Sequence, residues 1–491
     1  MSESRLPRNT RRSTGLCTNA LRRRLLVGVG SLATTPLWPS FASAATADPL
    51  ELALRARLAQ DGVGFAAASV GPDGLKLHTV GVMRRGEPTS VDANTLFELG
   101  SMTKAFVALL FADGLLKRRY AAEEPVESFL PDGLRLRDKA GLPIRMIDLA
   151  THRSGLPRMP GNLSPREMDD PYPGYSEARM FQFLREWKPV DGRGERFEYS
   201  NFGYGLLSIV LSRQLGLSFD EALNRHVLIP LKLEDMRLNR PLPTTDDLAV
   251  VGAALGASLA LAPRLASPHD AERRRALAWR FDAMAGAVGL IGSITSVGRF
   301  VEAALGRFDH PLREAFAMCL QYRTEGEHPL HPFGFGWELS TIVAADGSRR
   351  TLFNQDGATA GFSTSMWIEP ARQRGGVVLS NAFIETRSLA LKALDPVLSE
   401  EDFNLMVLPA DALSRLVGSY SRDIRYALDV RLRDGRLWMQ ETAQQEFELL
   451  PMAPRHFVSR YSALEFVFGD GDKPQTLRVL NGNKDLVFKR Q

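Results

Sequence analysis

A serine and a lysine three residues apart form the first pair in this sequence whose spacing indicates chemistry. Ser101 and Lys104 occur in the segment Phe-Glu-Leu-Gly-Ser-Met-Thr-Lys. At a helix start, the hydroxyl lies at the positive end of the helix dipole, on the same face as the amine. A neutral lysine can then take the serine proton and create a nucleophile. This requires burial and positive neighbours that lower the lysine pKa well below about 10.4. Taken alone, the spacing also fits an N-capping serine beside a solvated lysine.

A second polar stretch, residues 198–202, leads into a helical pattern. Tyr199 and Asn201 are two positions apart, so they project to the same side if the backbone is extended. A phenol can relay a proton between the serine, the lysine and a leaving group, and an amide can hold a substrate carbonyl. The structural alternative is a helix entry in which Asn201 caps the helix and Tyr199 packs.

A third stretch, residues 355–362, begins with Gln355, Asp356, Gly357 and Ala358. Its glycines allow a substrate backbone to lie against a sheet edge, and an exposed main-chain N–H group can complete an oxyanion hole. The structural alternative is a simple turn into a strand.

Hydrophobic patterns predict the elements that position these stretches. Residues 63–70 and 76–82, joined by Pro-Asp-Gly, predict a hairpin. The apolar spacing over 102–116 predicts a helix with Ser101 as its N-cap. Other segments predict helices at 146–150, 176–187, 203–215 and 219–227, and strands at 352–354, 364–368 and 376–379. Strands at both ends with helices between them favour an α/β sandwich whose terminal segments share one sheet.

The pattern changes at about residue 408. Apolar residues alternate at 428, 430 and 432, Asp434 and Gly435 predict a turn, and alternation resumes at 437. Strand-like segments continue to the end, so residues 408–491 predict a small antiparallel β domain, either a barrel or a curled sheet. Residues 383–407 indicate a helix and a connector, and residues 241–275 are interpreted as an insertion.

The first 44 residues have the features of a cleaved export signal. Arginines at 22–24 precede an apolar stretch over 25–38, and Ala-Ser-Ala at 42–44 fits a cleavage site. The apolar stretch is shorter than the ~20 residues that cross a bilayer as a helix. The arginines resemble a twin-arginine signal, and an ordinary secretory signal fits equally well. Both predict a periplasmic or secreted protein without a stable membrane span after cleavage.

Composition excludes several protein classes. Of 491 residues, 44% are hydrophobic and 24% are charged, which excludes wholesale disorder and a polytopic membrane protein. Residues 1–44 contain seven Arg and one Glu, so the remainder carries a net charge of −2 and no nucleic-acid partner is predicted. Cys17 lies in the leader and Cys319 in an apolar segment, which predicts a buried thiol and no intramolecular disulfide after cleavage. The histidines lack zinc-ligand spacing.

Taken together, the three stretches resemble the penicillin-recognising serine hydrolases over about residues 50–385. This family comprises class C β-lactamases, D,D-peptidases and related esterases and D-aminopeptidases. Segments 95–100 (Thr-Leu-Phe-Glu-Leu-Gly) and 333–337 (Phe-Gly-Phe-Gly-Trp) agree with it. Segment 151–158, Thr-His-Arg-Ser-Gly-Leu-Pro-Arg, is most similar to the AmpH-type D-alanyl-D-alanine carboxypeptidase/endopeptidase group. The tail resembles the small β domain appended to many such hydrolases.

The resemblance implies a β-lactamase/transpeptidase-like sandwich over residues 48–400, followed by the β domain at 408–491. In such a fold an antiparallel sheet has helices on both sides and an all-helical subregion. The implied function is that of an exported enzyme acting on a small-molecule or peptidoglycan-derived substrate.

The resemblance also implies a two-step acyl transfer. Ser101 would attack a carbonyl, while Lys104 and Tyr199 would move protons. Backbone N–H groups of Ser101 and Ala358 would stabilise the oxyanion, each typically lowering the barrier by about 3 kcal/mol. Asn201 would orient the acyl side chain. Water would release the acyl group, so neither a metal nor an organic cofactor is needed.

The sequence departs from the family at Gln355, where the family usually has Lys or His. A cation there binds the substrate carboxylate, whereas a neutral amide donates a hydrogen bond roughly half as strong. Asp356 adds repulsion, so we expect weak carboxypeptidase and penicillinase activity, with endopeptidase, D-aminopeptidase or esterase activity favoured. Arg153 and Arg158 are alternative sources of positive charge. His152 is interpreted as a buried, hydrogen-bonded support.

Two function classes therefore stay open. The first is a serine hydrolase of peptidoglycan-type D-amino-acid peptides (D,D-carboxypeptidase or endopeptidase) or β-lactams, with an esterase or D-aminopeptidase as the alternative within the family. The second is a penicillin- or peptidoglycan-binding protein with weak turnover, and it is suggested by Gln355 in place of the usual cation. The β domain offers a further hypothesis, which is binding of peptidoglycan or a protein partner. The oligomeric state stays open.

Overall fold

The computed structural model describes most of the chain from Asp48 onward. The described residues are 48–163, 170, 172–195, 197–241, 263–321, 333–343, 349–398, 408–423, 426–442, 446–459, 464–481 and 484–491. The predicted export signal at 1–44 and most of the predicted insertion at 241–275 lie outside them. Among the described helices, none has the length and apolar character needed to span a membrane.

Helices and strands are mixed in the described residues between 48 and 398, and strands dominate those from 408 onward. The helices are α1 (Pro49–Gln60), α2 (Thr103–Leu116), α3 (Met146–Ala150), α4 (Glu177–Glu186), α5 (Asn201–Leu215), α6 (Phe219–Leu223), α7 (Ile229–Leu231), α8 (Ala285–Val288), α9 (Ile294–Ala304), α10 (Arg313–Gln321), α11 (Arg387–Leu394) and α12 (Ala410–Ser414). The strands before residue 400 are β1 (Gly64–Gly71), β2 (Gly74–Gly81), β3 (Leu96–Glu98), β4 (Arg237–Leu238), β5 (Leu290–Ser293), β6 (Glu338–Val343), β7 (Arg349–Ala358), β8 (Ser363–Glu369) and β9 (Arg374–Ser380). The later strands are β10 (Gly418–Asp423), β11 (Tyr426–Arg433), β12 (Arg436–Glu441), β13 (Glu446–Ala453), β14 (His456–Ser459), β15 (Glu465–Phe468), β16 (Thr476–Asn481) and β17 (Lys484–Arg490).

The main sheet is antiparallel and has the strand order β2-β1-β9-β8-β7-β6. Strand β1 pairs with β9, so the predicted sharing of one sheet by the two ends of this region is confirmed. Along β1, Phe65 and Ala67 join a core with α1 and α11, whereas Ala66 and Ala68 join the core that contains α2 and α9. Since successive strand residues face opposite sides, the sheet has helices on both faces, and the predicted sandwich is confirmed.

Helix α2 is buried around nearly its whole circumference from Thr103 to Gly114. Such a helix is apolar on every side and lies inside the protein. The prediction that Ser101 caps this helix is wrong. The N-cap is Met102, and Ser101 lies inside a 3₁₀ turn, Gly100–Met102, that leads into the helix. Gly100 has a φ of 55°, a left-handed conformation that favours glycine.

Helix α5 begins at Asn201, but its cap is the preceding residue. The Ser200 hydroxyl accepts a hydrogen bond from the Gly203 N–H at 2.8 Å. The alternative in which Asn201 caps the helix is therefore wrong. Asn201 occupies the first helical position, where its side chain is available for the site described below.

The C-terminal strands β10 to β17 form a closed antiparallel barrel, in which β10 pairs with both β11 and β17. Asp434 and Gly435 have positive φ angles and join β11 to β12, as the hairpin pattern predicts. Closure leaves the sheet without free edges. The fold confirms the predicted β domain, whereas the boundaries 48–400 and 408–491 stay a prediction because residues 399–407 are not described.

Candidate active site

The serine and the lysine of the first stretch are in direct contact. Lys104 Nζ lies 3.0 Å from Ser101 Oγ. The same amine lies 2.8 Å from Asn201 Oδ1 and 3.0 Å from the main-chain oxygen of Ala287. The 3₁₀ turn presents the serine and the start of α2 presents the lysine, while α5 and α8 bring the two oxygens. Lys104 is fully buried, whereas Ser101 is partly exposed.

The surroundings of Lys104 favour its neutral form. Burial lowers the pKa of Lys104 well below its ordinary value, and the positive charge of Arg158 lowers it further. A neutral amine has two N–H groups and one lone pair. The oxygens of Asn201 and Ala287 can only accept, so they take the two N–H groups. The lone pair is left for the Ser101 hydroxyl, which is the arrangement that a general base requires.

Tyr199 completes the cluster. Lys104 Nζ lies 4.7 Å from the centre of the Tyr199 ring. Burial raises the pKa of Tyr199, while hydrogen bonds with Ser101 and Gln355 and the charge of Arg158 act in the opposite direction. The net rise keeps the phenol protonated at neutral pH. The structure thus brings together the serine, lysine and tyrosine that the sequence predicts to converge.

His152 supports the tyrosine from behind. Its ring stacks on Tyr199 with centroids 4.4 Å apart, and its Nδ1 accepts a hydrogen bond from the Ser200 N–H at 3.0 Å. Burial lowers the pKa of His152 well below its ordinary value, and the charge of Arg158 acts in the same direction. The imidazole is therefore neutral. This placement agrees with the interpretation of His152 as a buried, hydrogen-bonded support.

The third stretch completes strand β7 instead of forming a turn into a strand. Strand β6 begins at Glu338, which pairs with Asn354, so residues 355–358 extend beyond the end of β6. The Thr359 N–H donates to Phe362 on the β8 side. Because successive N–H groups point to opposite sides of a strand, the Ala358 N–H points to the side that β6 leaves open. Ala358 lines the same cavity as Ser101.

Gln355 and Asp356 both line the cavity, and the Gln355 side-chain nitrogen and the Asp356 carboxylate have partners within the protein. The Gln355 amide donates to the main-chain oxygen of Asp356 at 3.1 Å. The Asp356 carboxylate binds the Arg387 guanidinium and the Ser365 hydroxyl. The positive charge of Arg387 offsets the negative charge of Asp356. The expectation that Asp356 repels a substrate carboxylate is therefore wrong.

The cavity around Ser101 has a volume of about 420 Å³, which suits a small-molecule ligand. Its walls are rich in aromatic side chains, contributed by Tyr172, Phe197, Tyr199, Trp279, Phe333, Phe383 and Phe447. Phe447 and Glu441 come from the barrel. Sequence reasoning missed Arg387, Trp279 and both barrel residues, because no local pattern shows that segments so distant in the chain meet at one cavity.

The chain is similar to β-lactamases and to a penicillin-binding protein. The family model described as "Beta-lactamase" matches residues 50–395. The chain is 25% identical to "Penicillin-binding protein 4*" of Bacillus subtilis (strain 168) over 441 residues, which cover 83% of this chain and 90% of that protein. It is also 25% identical to a "Beta-lactamase" of Pseudomonas fluorescens over 355 residues, covering 66% of this chain and 89% of the relative.

Two solved structures have the same fold. "A class C beta-lactamase" covers 73% of this chain and 96% of its own, with a TM-score of 0.58 and 20% identity. The "octameric penicillin-binding protein homologue from Pyrococcus abyssi" covers 89% of this chain and 99% of its own, with a TM-score of 0.61 and 18% identity.

Proposed function

Because this chain belongs to the beta-lactamase family of serine hydrolases, we propose that it is an exported enzyme acting through an acyl-enzyme on Ser101. Its substrates are peptidoglycan-type D-amino-acid peptides or β-lactams. The observation that carries this proposal is the contact between the Ser101 hydroxyl and the buried amine of Lys104, whose two N–H groups are already taken. Export is inferred from the predicted signal at residues 1–44.

The first half-reaction forms an ester on the enzyme. As Ser101 Oγ attacks the substrate carbonyl, the hydroxyl proton passes to Lys104 Nζ. The carbonyl oxygen becomes an oxyanion, which the N–H groups of Ser101 and Ala358 bind. Hydrogen bonds aimed at developing charge in a dry cavity stabilise the transition state more than they stabilise the substrate.

The leaving group needs a proton, and Tyr199 supplies it. The phenol is protonated because burial raises its pKa, and it lies against both Ser101 and Lys104. It gives its proton to the departing nitrogen or oxygen and is reprotonated by Lys104, which returns the amine to its neutral form. In the second half-reaction water attacks the ester carbon and gives up a proton to the same groups. These groups pass a proton to Ser101 Oγ as its bond to the acyl carbon breaks, which frees the acid and restores the serine hydroxyl.

The family relatives support the substrate class. They are a penicillin-binding protein and a β-lactamase. The aromatic cavity of about 420 Å³ falls within the size range of sites that bind small molecules. Asn201, which lines the cavity and whose Oδ1 contacts Lys104, would hold the amide of the acyl group.

Gln355 favours a second candidate function within the same family. A neutral amide at this position gives no charge to a substrate carboxylate, so uncharged esters and amides lose little by comparison. Esterase or D-aminopeptidase activity is therefore the alternative. A penicillin-binding protein with slow deacylation would use the same first half-reaction and stop at the ester.

Labelling with a fluorescent penicillin, together with turnover of p-nitrophenyl acetate, tests the proposed function. We expect intact-mass spectrometry to place the label on Ser101, and Ser101→Ala to lose both the label and ester turnover while it keeps the wild-type melting temperature. Ser212→Ala is the matched control, because Ser212 is a buried serine of α5 that does not line the cavity. Labelling and turnover that survive in Ser101→Ala would refute the proposal. A label that persists without product release would favour a binding protein.

A further inference from the structure

Among the described residues, one arginine of the cavity has no carboxylate partner. The Arg158 guanidinium lines the cavity with Ser101, and its Cζ lies 5.2 Å from the centre of the Tyr199 ring. Its Nη1 is buried without a hydrogen-bond partner, and the side chain forms no ion pair with any of the described residues. A guanidinium without a charge partner costs free energy, which a ligand can offset by placing an acceptor against the part of the group that lines the cavity.

The other positive charges nearby are already neutralised or lie elsewhere. Arg387 lines the same cavity, but it is paired with Asp356. Arg153 donates to the main-chain oxygen of Gly194 at 3.1 Å, and it does not line the cavity. Within the described residues, Arg158 is therefore the unpaired cation of the cavity wall.

Two carboxylates in the same wall limit where an anion can bind. Glu338 accepts a hydrogen bond from the Asn354 amide at 3.3 Å, and Glu441 accepts one from the Tyr426 hydroxyl at 2.6 Å. Both would repel an anionic group that approached them. The field of the cavity therefore favours an anion on the side where Arg158 lies.

The main chain holds Arg158 in place. Its carbonyl oxygen accepts hydrogen bonds from the N–H groups of Asn201 and Phe202, at 3.1 and 3.2 Å. These are the first residues of α5, and the Asn201 side chain contacts Lys104. The segment that carries Arg158 is thus anchored to the helix that carries part of the catalytic cluster, so the guanidinium is positioned before a substrate arrives.

We propose that Arg158 binds a carboxylate of the substrate and supplies the anion recognition that Gln355 cannot supply. A guanidinium can bind a carboxylate with two parallel N–H donors, which gives orientation as well as affinity. The inference rests on the proposed function, and it makes a carboxylate-bearing compound the preferred substrate. It reverses the expectation of weak carboxypeptidase activity that rested on Gln355 and Asp356, and of the two alternative cations that the sequence offers it selects Arg158 over Arg153.

A matched pair of thioesters tests this assignment. Hippuryl thioglycolate carries a carboxylate on its leaving group, and its methyl ester does not. We expect kcat/KM of the wild-type enzyme to be about 10-fold or more higher for the carboxylate compound, because a charged hydrogen bond contributes an effect of this size. In Arg158→Gln the ratio of the two kcat/KM values should fall to about one, and Arg158→Lys should retain part of it. The ratio cancels any loss of general activity.

Arg213→Gln is the matched control. Arg213 also stacks on an aromatic ring, with its Cζ 5.0 Å from the centre of the Phe181 ring, but it pairs with Glu177 away from the cavity. It should keep the wild-type ratio. Equal kcat/KM values for the two thioesters in the wild type, or an unchanged ratio in Arg158→Gln, would overturn the inference.

Calorimetry separates this inference from the proposed function. In the Ser101→Ala protein, N-acetyl-D-alanyl-D-alanine should bind about 10-fold more tightly than its C-terminal amide, and Arg158→Gln in that background should abolish the difference. If neither thioester is hydrolysed, the proposed function fails and the calorimetric difference alone decides the role of Arg158. Equal affinities of the two peptides would then refute it.

Discussion

Replacing Gly100 by alanine tests how closely the serine turn and the third stretch must approach. A Cβ at this position would lie 2.6 Å from the Ala358 nitrogen and 2.9 Å from its oxygen, whereas ordinary contacts are 3.4–4 Å. Both neighbouring atoms belong to the main chain, so strand β7 itself must move away by about 0.8 Å. That movement takes the Ala358 N–H away from the oxyanion.

Two separate costs follow from this substitution. The φ of 55° at Gly100 costs an alanine about 1–2 kcal/mol, which lowers stability. Loss of one oxyanion donor raises the barrier by about 2.7–4 kcal/mol, which corresponds to a fall in kcat of roughly 100- to 1,000-fold. Since hydrogen bonds weaken steeply with displacement, we expect a fall in kcat of about 100-fold for p-nitrophenyl acetate, with a modest decrease in melting temperature.

Gly216→Ala provides the matched control for backbone strain. Gly216 ends helix α5 with a φ of 65°, and no atom lies within 4 Å of the position its Cβ would occupy. This variant should lose stability to a similar extent and keep the wild-type kcat. If Gly100→Ala melts like Gly216→Ala and its kcat stays within about threefold of the wild type, the reasoning about the oxyanion hole is refuted.

Three further predictions concern proton binding, the cavity wall and a buried ion pair. Burial raises the pKa of Glu98 to about 8, so between about pH 5 and 8 the folded protein holds a proton that the unfolded chain has released. This group should therefore lower the free energy of unfolding by about 1.4 kcal/mol for each pH unit of increase in that range. Measured by urea unfolding, the free energy of unfolding of Glu98→Gln should depend less on pH than that of the wild type, and identical slopes would contradict this. Phe447→Ala should lower kcat/KM for p-nitrophenyl hexanoate about fivefold relative to the acetate ester, because the barrel side of the cavity loses apolar contact area, and an unchanged ratio would exclude that role. Arg350→Met removes the buried cation shared by Glu369 and Asp395, which keep only the more exposed Arg372 and Arg374 as partners, and should lower the free energy of unfolding by about 3 kcal/mol. Arg55→Met, in an exposed ion pair, should change it by less than about 0.5 kcal/mol, and similar urea midpoints for the two variants would disprove the distinction.

Local patterns were sufficient for most of the elements in this chain. The hairpin of β1 and β2, helix α2 and the hairpin of β11 and β12 all occur where turn residues and apolar spacing predict them. These features depend on neighbours in sequence, so the sequence carries the information directly. The order of the three polar stretches also pointed to the beta-lactamase family, which the comparison shows.

The caps of two helices were not predictable in the same way. Ser101 was expected to cap α2, and Asn201 was an alternative cap for α5, since both residue types favour caps. In the structure Gly100 lies close to the main chain of Ala358, and Ser101 lies inside a 3₁₀ turn. Asn201 faces Lys104, and Ser200 caps the helix. A tertiary contact therefore outweighed the local preference in both places.

The sequence alone determined which groups are available for chemistry: a serine, a lysine and a phenol in a recognisable order. Only the tertiary structure decided their charges. Burial lowers the pKa of Lys104, Arg387 neutralises Asp356, and Arg158 lines the cavity without a carboxylate partner among the residues that the structure describes. Electrostatic effects depend on distance and on access to water, and both are set by segments far apart in the chain, so no reading of neighbours could assign them.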